Sequence, residues 1–193
     1  MKNRIDMRIG VLAVQGAFIE HEKILEKLGV DCVEIRQKAQ LENIDGIILP
    51  GGESTVQGKL LRELGMLEPL TEMIKNGLPV LATCAGLILL SEQLENDPTS
   101  HIATLPVVVR RNAYGRQLGS FNTRHDMKGI KDFPMVFIRA PYIVAASDDT
   151  DVLATVDDHI VAVRHNNQIG LSFHPELTDD TRIHEQFIRL ASS

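Results

Sequence analysis

Cysteines, long apolar runs and runs of basic residues are scarce in this sequence. The two cysteines, Cys32 and Cys84, are too few for a disulfide framework and agree with a reducing compartment. No apolar run approaches the length that spans a membrane, and the N-terminal segment lacks the apolar core of a signal peptide. We therefore expect a cytoplasmic protein. Residues 1–6 could be a leader or a remnant, because Met7 could itself be a natural start.

The charge of the chain disfavours nucleic acid as a partner. The formal net charge is −6, and the basic residues are dispersed. A chain of 193 residues, 44% hydrophobic and 24% charged, can bury a full core and fits one domain. Because we find no internal repeat and no convincing linker, we predict a single domain over residues 1–193.

The first half of the sequence alternates short apolar runs with amphipathic segments. Near-continuous apolar runs are typical of strands buried on both faces of a parallel sheet. The predicted strands are residues 8–15, 32–35, 45–49 and 79–83, and helical spacing marks residues 17–28 and a stretch from Leu60 to Ile74. This alternation predicts an α/β domain with a parallel sheet.

After about residue 98 the pattern changes to short strand-like runs separated by turn residues. These runs, which suggest hairpins that decorate or extend the sheet, are residues 107–110, 120–124, 136–139, 142–146, 152–156, 160–164 and 169–173. A capping residue, acids and an apolar stripe from Thr178 onward predict a closing helix. The predicted fold is an α/β, flavodoxin-like three-layer sandwich, with a mostly parallel central sheet and additional antiparallel strands or hairpins in the C-terminal half.

Cys84 stands where a predicted strand meets a predicted helix. The apolar run that ends at Thr83 is followed by Cys84, Ala85 and Gly86, and then at once by a further apolar segment. This is the pattern of a strand, a tight turn and a helix. A helix N-terminus favours a thiolate, so Cys84 is a candidate nucleophile. A small buried hydrophobe is an equally good interpretation of Cys84 alone.

His174 is the candidate base, with Glu176 as the group that orients it. His174 follows an apolar strand, and residues i and i+2 of an extended segment point to the same side. Sites in open α/β sheets form at the carboxyl ends of strands, where both Cys84 and His174 lie. A lone His-x-Glu would indicate only a solvated histidine, but together with Cys84 it favours a Cys-His-Glu triad.

The Gly51-Gly52 pair could supply part of an oxyanion hole. Backbone N–H groups aimed at a developing oxyanion contribute about 10²–10³ in rate for each donor. Gly52 and Ala85, the residue after the nucleophile, are the candidate donors, although a plain tight turn explains the glycine pair equally well. The segment does not have the spacing of a phosphate-binding loop, and we expect no cofactor and no metal site.

These motifs together resemble class I, triad-type glutamine amidotransferases. The motifs are Leu-Pro-Gly51-Gly52-Glu-Ser-Thr, Thr-Cys84-Ala-Gly and Ser-Phe-His174-Pro-Glu176. Further stretches resemble the glutaminase subunits of pyridoxal 5′-phosphate synthases, namely Gly10 to Ala17 with Glu20-His21, Arg111 to Gln117, and Phe137 to Pro141. The resemblance departs at Ala82, where the family usually has glycine, and we expect altered packing there rather than lost activity.

The resemblance implies hydrolysis of L-glutamine to L-glutamate and ammonia through a thioester on Cys84. In this family His174 would act as base and then acid, Glu176 would orient it, and Gly52 and Ala85 would form the oxyanion hole. The residues that the resemblance implies for glutamine binding are Gly51, Gly52, Glu53, Arg111, Ile138 and Arg139. A guanidinium suits the α-carboxylate of glutamine, and an acid suits its α-ammonium group.

The resemblance also implies a partner, because ammonia released into neutral water would mostly become unreactive ammonium. The expected partner is a (β/α)₈ synthase subunit, in a large hetero-oligomer, that makes pyridoxal 5′-phosphate from ribose 5-phosphate and glyceraldehyde 3-phosphate. Gln15 and His21 could contact that subunit, although His21 could equally be a core histidine on a helix face.

Three alternatives remain open at this point. The triad could serve another biosynthetic synthase, or it could belong to a cysteine peptidase or esterase of similar fold. The chain could also be a non-catalytic flavodoxin-like binding module that keeps Cys84 in its core.

Overall fold

The computed structural model describes residues 5–111 and 120–193. Its strands are β1 (Ile5–Leu12), β2 (Val30–Ile35), β3 (Gly46–Leu49), β4 (Val80–Thr83), β5 (Ser91–Leu94), β6 (Leu105–Arg110), β7 (Ser120–Met127), β8 (Ile130–Ile138), β9 (Tyr142–Ala146), β10 (Asp151–Val156), β11 (His159–His165) and β12 (Gln168–Leu171). Its helices are α1 (Phe18–Leu28), α2 (Ser54–Glu63), α3 (Leu67–Lys75), α4 (Ala85–Leu90) and α5 (Arg182–Ala191). Residues 1–4 of the possible leader and residues 112–117 of the motif that begins at Arg111 lie outside the described residues.

A central sheet runs through the described part of the chain in the order β2-β1-β3-β4-β12-β11-β9-β6-β5, with β10 paired to β11. The five strands from β2 to β12 are mutually parallel, in the order typical of a flavodoxin-like fold. Strands β11, β9 and β6 then pair antiparallel, and β7 and β8 form a separate antiparallel hairpin. The predicted fold class, with its antiparallel additions in the C-terminal half, is confirmed.

Two apolar clusters cover the two faces of the sheet. On one face, Ile9 and Leu81 of the parallel strands pack in a cluster with Leu25 of α1 and Phe187 of α5. On the other face, residues such as Leu49 and Ala82 pack with Leu61 of α2, Leu70 of α3 and Leu87 of α4. Because successive strand side chains point to opposite faces, β1, β2, β3 and β4 each contribute to both clusters, which makes the three layers.

Two predicted helices have different boundaries in the structure, and one strand was missed. The helical stretch from Leu60 to Ile74 is two helices, because Gly65 adopts a left-handed conformation with φ of 66° between α2 and α3. The closing helix begins at Arg182 rather than near Thr178, where the backbone is extended and Asp180 accepts a hydrogen bond from the Arg182 N–H. Strand β5 was not predicted, because it is a short edge strand that lacks an apolar run.

The ends of two predicted strands lie in loops instead. Strand β1 ends at Leu12 rather than Gln15, and β12 ends at Leu171 rather than Phe173. Both loops lie at the carboxyl edge of the parallel strands, which is also where Cys84 follows β4. Within the described ranges, the structure contains no helix with the length and apolar character needed to cross a bilayer.

Candidate active site

Cys84 lies in a sharp turn between β4 and α4. Its φ of 49° and ψ of −103° are unusual for a residue other than glycine, and its N–H donates to the Leu171 carbonyl over 2.8 Å. Gly86 is required two residues later, because a Cβ there would lie 2.0 Å from the Leu49 carbonyl oxygen. Ala82 is fully buried in the apolar cluster on the α2, α3 and α4 side. The turn therefore holds the Cys84 backbone in a strained and closely packed position.

His174 and Glu176 form a buried pair beside this turn. Nδ1 of His174 lies 2.6 Å from Oε1 of Glu176, and the two residues are 6% and 5% exposed. We predicted the contact from strand alternation, but Glu176 lies in a 3₁₀ turn, Pro175–Leu177, so the contact is present for a different reason. The carboxylate fixes the imidazole with a proton on Nδ1, which leaves Nε2 for Cys84.

The environment of His174 favours its protonated form. Burial lowers the pKa of His174, but hydrogen bonds to Cys84 and Glu176, together with the electrostatic effects of the same two residues, outweigh burial and raise the pKa to about 10. An imidazole that carries a proton at neutral pH beside a thiol can deliver that proton to a leaving group.

The Gly51-Gly52 loop follows β3 and lies against the His174 ring. A Cβ on Gly51 would lie 2.4 Å from Cε1 of His174, and one on Gly52, where φ is 154°, would lie 2.4 Å from Oε1 of Gln15. The same Gln15 oxygen accepts the Glu53 N–H over 2.8 Å, and Gln57 donates to the carbonyls of Gln15 and Pro50. The loop is thus held on both sides, and only glycine leaves room for the imidazole and for Gln15.

An open cleft of about 530 Å³ connects these groups. Its lining includes all the residues predicted for catalysis and substrate binding except Glu176, namely Gly51, Gly52, Glu53, Cys84, Ala85, Arg111, Ile138, Arg139 and His174, together with Gln15. Glu176 lies behind His174 instead. The volume is within the range of about 300–1,000 Å³ typical of small-molecule sites.

Arg111 and the residues at the end of β8 also line the cleft. The Arg111 guanidinium lies 3.4 Å from Oδ2 of Asp97 and 3.3 Å from Oγ1 of Thr55. The Ile138 carbonyl lies 4.0 Å from Sγ of Cys84, and Arg139 follows with a positive φ of 43°. A guanidinium and a backbone carbonyl therefore line the same cleft as the thiol, an arrangement that suits an amino-acid ligand.

Contact of His21 with a partner subunit stays a prediction, and the His21 side chain is fully buried within this chain. His21 lies on α1 behind the His174–Glu176 pair, with Nδ1 2.9 Å from Nε2 of His184 and Nε2 3.6 Å from Oε2 of Glu176. The alternative that we left open, a core histidine on a helix face, describes its position. Gln15 is partly exposed at the cleft.

Sequence reasoning missed several residues around the site. His184 was not singled out, although its place beside Ile183 on the apolar stripe of α5 indicated a buried histidine. Asp97 and Thr55, which contact Arg111, carried no local signal at all. Across residues 5–111 and 120–193 there is no group of three or more His, Cys, Asp or Glu side chains arranged to hold a metal ion.

Several proteins are similar to this chain over nearly its full length. Pyridoxal 5′-phosphate synthase subunit PdxT of Desulfitobacterium hafniense (strain DSM 10664 / DCB-2) is 64% identical over 183 residues, which cover 94% of this chain and 92% of that protein. The subunit of the same name from Streptococcus pneumoniae (strain CGSP14) is 52% identical over 188 residues, covering 95% of this chain and 97% of that protein.

Solved structures show the same architecture. A crystal structure of a glutamine amidotransferase matches with a TM-score of 0.92 at 41% identity, and covers 96% of this chain and 99% of that one. The structure of PurLQS from Thermotoga maritima matches with a TM-score of 0.67 at 19% identity, covering 97% of this chain and 98% of that one, and so supports the fold alone. The model of the SNO glutamine amidotransferase family matches residues 11–193. The chain therefore belongs to the SNO glutamine amidotransferase family.

Proposed function

We propose that this chain is the glutaminase subunit of a pyridoxal 5′-phosphate synthase and hydrolyses L-glutamine to L-glutamate and ammonia. The observation that carries the proposal is the buried His174–Glu176 pair beside Cys84, in a cleft of about 530 Å³. Relatives 64% and 52% identical bear the name of that synthase's PdxT subunit, which supports the same assignment. Membership of a glutamine amidotransferase family supports glutamine as the substrate.

In the proposed reaction, Sγ of Cys84 attacks the side-chain amide carbon of glutamine while His174 holds the thiol proton. The backbone N–H groups of Gly52 and Ala85 stabilise the oxyanion, and both residues line the cleft. His174 then gives the proton to the leaving nitrogen, and ammonia departs from a γ-glutamyl thioester. A pKa of about 10 for His174 supports this step, because the imidazole is protonated at neutral pH.

The second half of the reaction releases glutamate. His174 removes a proton from water, the hydroxide attacks the thioester carbon, and the carbon–sulfur bond breaks. Glu176 stabilises the imidazolium and fixes its orientation throughout, as its 2.6 Å contact with Nδ1 allows.

Residues around the cleft would hold the amino-acid end of glutamine. We assign the α-carboxylate to Arg111 and the α-ammonium group to Glu53, with Gly51, Gly52, Ile138 and Arg139 forming the walls beside the side chain. The Glu53 side chain makes no capping hydrogen bond to α2, although Glu53 is its N-cap residue. This supports a role for its carboxylate toward a ligand.

The proposal includes a partner and a location. Ammonia would pass to a (β/α)₈ synthase subunit that makes pyridoxal 5′-phosphate from ribose 5-phosphate and glyceraldehyde 3-phosphate, with Gln15 near the contact. We also propose one domain over residues 1–193 that acts in the cytoplasm. Continuous strand pairing from β2 to β5 supports the single domain, and the free Cys32 and Cys84 support a reducing compartment.

Glutamate release tests the proposal, measured with the chain alone and with its cognate synthase subunit. We expect release to rise on addition of the synthase, to vanish in C84A and to persist in C32A, a matched change at the other cysteine. Iodoacetamide should label Cys84 before the half-buried Cys32. Unchanged turnover in C84A, or a preference for peptide or ester substrates in a parallel panel, would contradict the proposal.

A further inference from the structure

A pair of buried histidines lies behind the catalytic pair and has no part in the proposed reaction. His21 of α1 and His184 of α5 are both 0% exposed, and Nδ1 of His21 lies 2.9 Å from Nε2 of His184. On its other side, Nε2 of His21 lies 3.6 Å from Oε2 of Glu176 and 3.5 Å from Oγ1 of Thr83. His184 of α5 and Thr83 of β4 therefore both contact the His21 ring, which lies beside the oxygen of Glu176 that does not contact His174.

That oxygen is otherwise unsupported. Oε2 of Glu176 is buried and has no hydrogen-bond partner within the described residues, while Oε1 accepts from His174. A buried carboxylate oxygen without a donor is costly, and a carboxylate held at one oxygen can rotate away. The nitrogen of His21 is the polar group placed to hold the second oxygen.

The short contact between the two histidines allows one of two proton arrangements. If Nδ1 of His21 carried the proton, its Nε2 lone pair would face the carboxylate, and Nδ1 of His184 would be a buried N–H without an acceptor. If His184 donates from Nε2 instead, Nε2 of His21 carries a proton toward Oε2 of Glu176, and only a lone pair on His184 lacks a partner. The second arrangement leaves no ring N–H of the pair without a facing acceptor, and it places a donor beside Oε2 of Glu176, which otherwise has none.

We propose that His21, held by His184, is a positioning residue whose Nε2–H faces Oε2 of Glu176 and keeps Oε1 aimed at His174. The inference rests on the proposed glutaminase function and extends it to two residues beyond the triad. The N–H groups of this row then all point the same way, from His184 to His21 over 2.9 Å and from His21 toward Glu176 over 3.6 Å, while Oε1 of Glu176 accepts from His174.

Both histidines stay neutral in this arrangement. Burial, followed by the charges of His184 and His174, holds the pKa of His21 well below its ordinary value. Burial likewise lowers the pKa of His184 to about 4. A neutral His21 can donate one proton without placing a second positive charge behind His174.

Nitrogen NMR of histidine-labelled protein tests the arrangement directly, without any need for activity. We expect Nε2 of His21 to be protonated and Nδ1 to be unprotonated, unchanged between about pH 5.5 and 8, with signals assigned through H21Q and H184Q. A proton on Nδ1 of His21, or on both of its nitrogens, would overturn the inference.

A matched pair of variants tests the effect on the reaction. Gln and Met have nearly the same shape, but only Gln can donate from the position of Nε2. In complex with the synthase subunit, H21M should lower kcat about 10- to 100-fold with little change in the KM for glutamine, by analogy with other groups that orient a site residue. H21Q should retain at least about a third of the wild-type kcat. If H21M fails to fold, H184M and H184Q give the same comparison, of a variant without a donor and a variant with one, at the residue that holds His21.

The outcomes separate this inference from the function on which it rests. Wild-type kcat in folded H21M, or equal losses in folded H21Q and H21M, would overturn the positioning role while leaving the glutaminase assignment intact. Absence of glutamate release from the wild-type complex would overturn the proposed function, and this role with it.

Discussion

Nδ1 of His174 lies 2.6 Å from Oε1 of Glu176, and a 3₁₀ turn rather than an extended strand brings the two residues together. β12 ends at Leu171, and Pro175 begins the turn that folds Glu176 back beneath the imidazole. The contact depends on this short turn, on the Gly51 backbone in front of the ring and on α1 behind the carboxylate. Single substitutions at the residues around this contact can therefore test it.

Glu176→Gln removes the negative charge beneath His174 and should lower kcat at least about 100-fold. A bond from a buried imidazolium to a carboxylate stabilises by roughly 1.5–3 kcal/mol, and the amide also disturbs the tautomer of His174. Steady-state glutamate release measures this. Glu185→Gln, on the partly exposed side of α5, is the control and should leave kcat unchanged. Retention of more than a tenth of the wild-type kcat would argue against Glu176 as the orienting group.

The stability of the protein should fall as pH rises through the titration of His174. Its pKa is raised from 6.5 to about 10 on folding, so its contribution is fully present below about pH 6.5 and lost as pH rises through about 10. We expect a loss of roughly 2–4 kcal/mol in the free energy of unfolding between pH 6 and 10, since one pKa unit is about 1.4 kcal/mol. Urea unfolding of wild type and H174Q measures this, and an equal pH dependence in both would contradict it.

Gly51→Ala should reduce glutamate release strongly, because the added Cβ would lie 2.4 Å from Cε1 of His174 and push the ring away from Cys84. A displacement of this size costs on the order of 100-fold in rate. Gly29→Ala is the control, since a Cβ there meets nothing within 4 Å. That variant should lose about 1 kcal/mol of stability through its left-handed backbone, but no activity. Wild-type kcat in G51A would show that the loop can move without harm.

Arg111→Ala should raise the KM for glutamine about 10- to 100-fold with a smaller effect on kcat, because a charge-assisted hydrogen bond is worth about 1.5–3 kcal/mol. Asp97→Asn, which removes the ion-pair partner of a one-third-exposed guanidinium, should raise KM by no more than about fivefold. Arg124→Ala breaks a comparable surface pair with Asp132 and serves as the control. An unchanged KM in R111A would place the α-carboxylate elsewhere.

The local pattern of apolar and polar residues was sufficient to predict most of the strands and helices, and the segments that carry Cys84, His174 and Glu176. The turn at Cys84 was predicted because an apolar run ends there and a second apolar segment begins at once. The His174-Pro175-Glu176 segment comes directly after another apolar run. The alternation of strands and helices depends on short-range periodicity and on backbone sterics, so it can be read along the chain. Boundaries were wrong where capping geometry decided them, as at Gly65 and Arg182.

Contacts between distant segments could not be read in this way. His21 and His184 are 163 positions apart and meet only because α1 and α5 cover the same face of the sheet. Arg111 contacts Asp97 and Thr55, and Gly51 lies against His174. These contacts depend on the order of the strands in the sheet and on how the loops that follow them pack. The amino-acid order thus defines the elements, the candidate nucleophile Cys84 and the nearby His174–Glu176 pair. Tertiary packing, which depends on contacts between segments far apart in the chain, decides which side chains surround Cys84, His174 and Glu176.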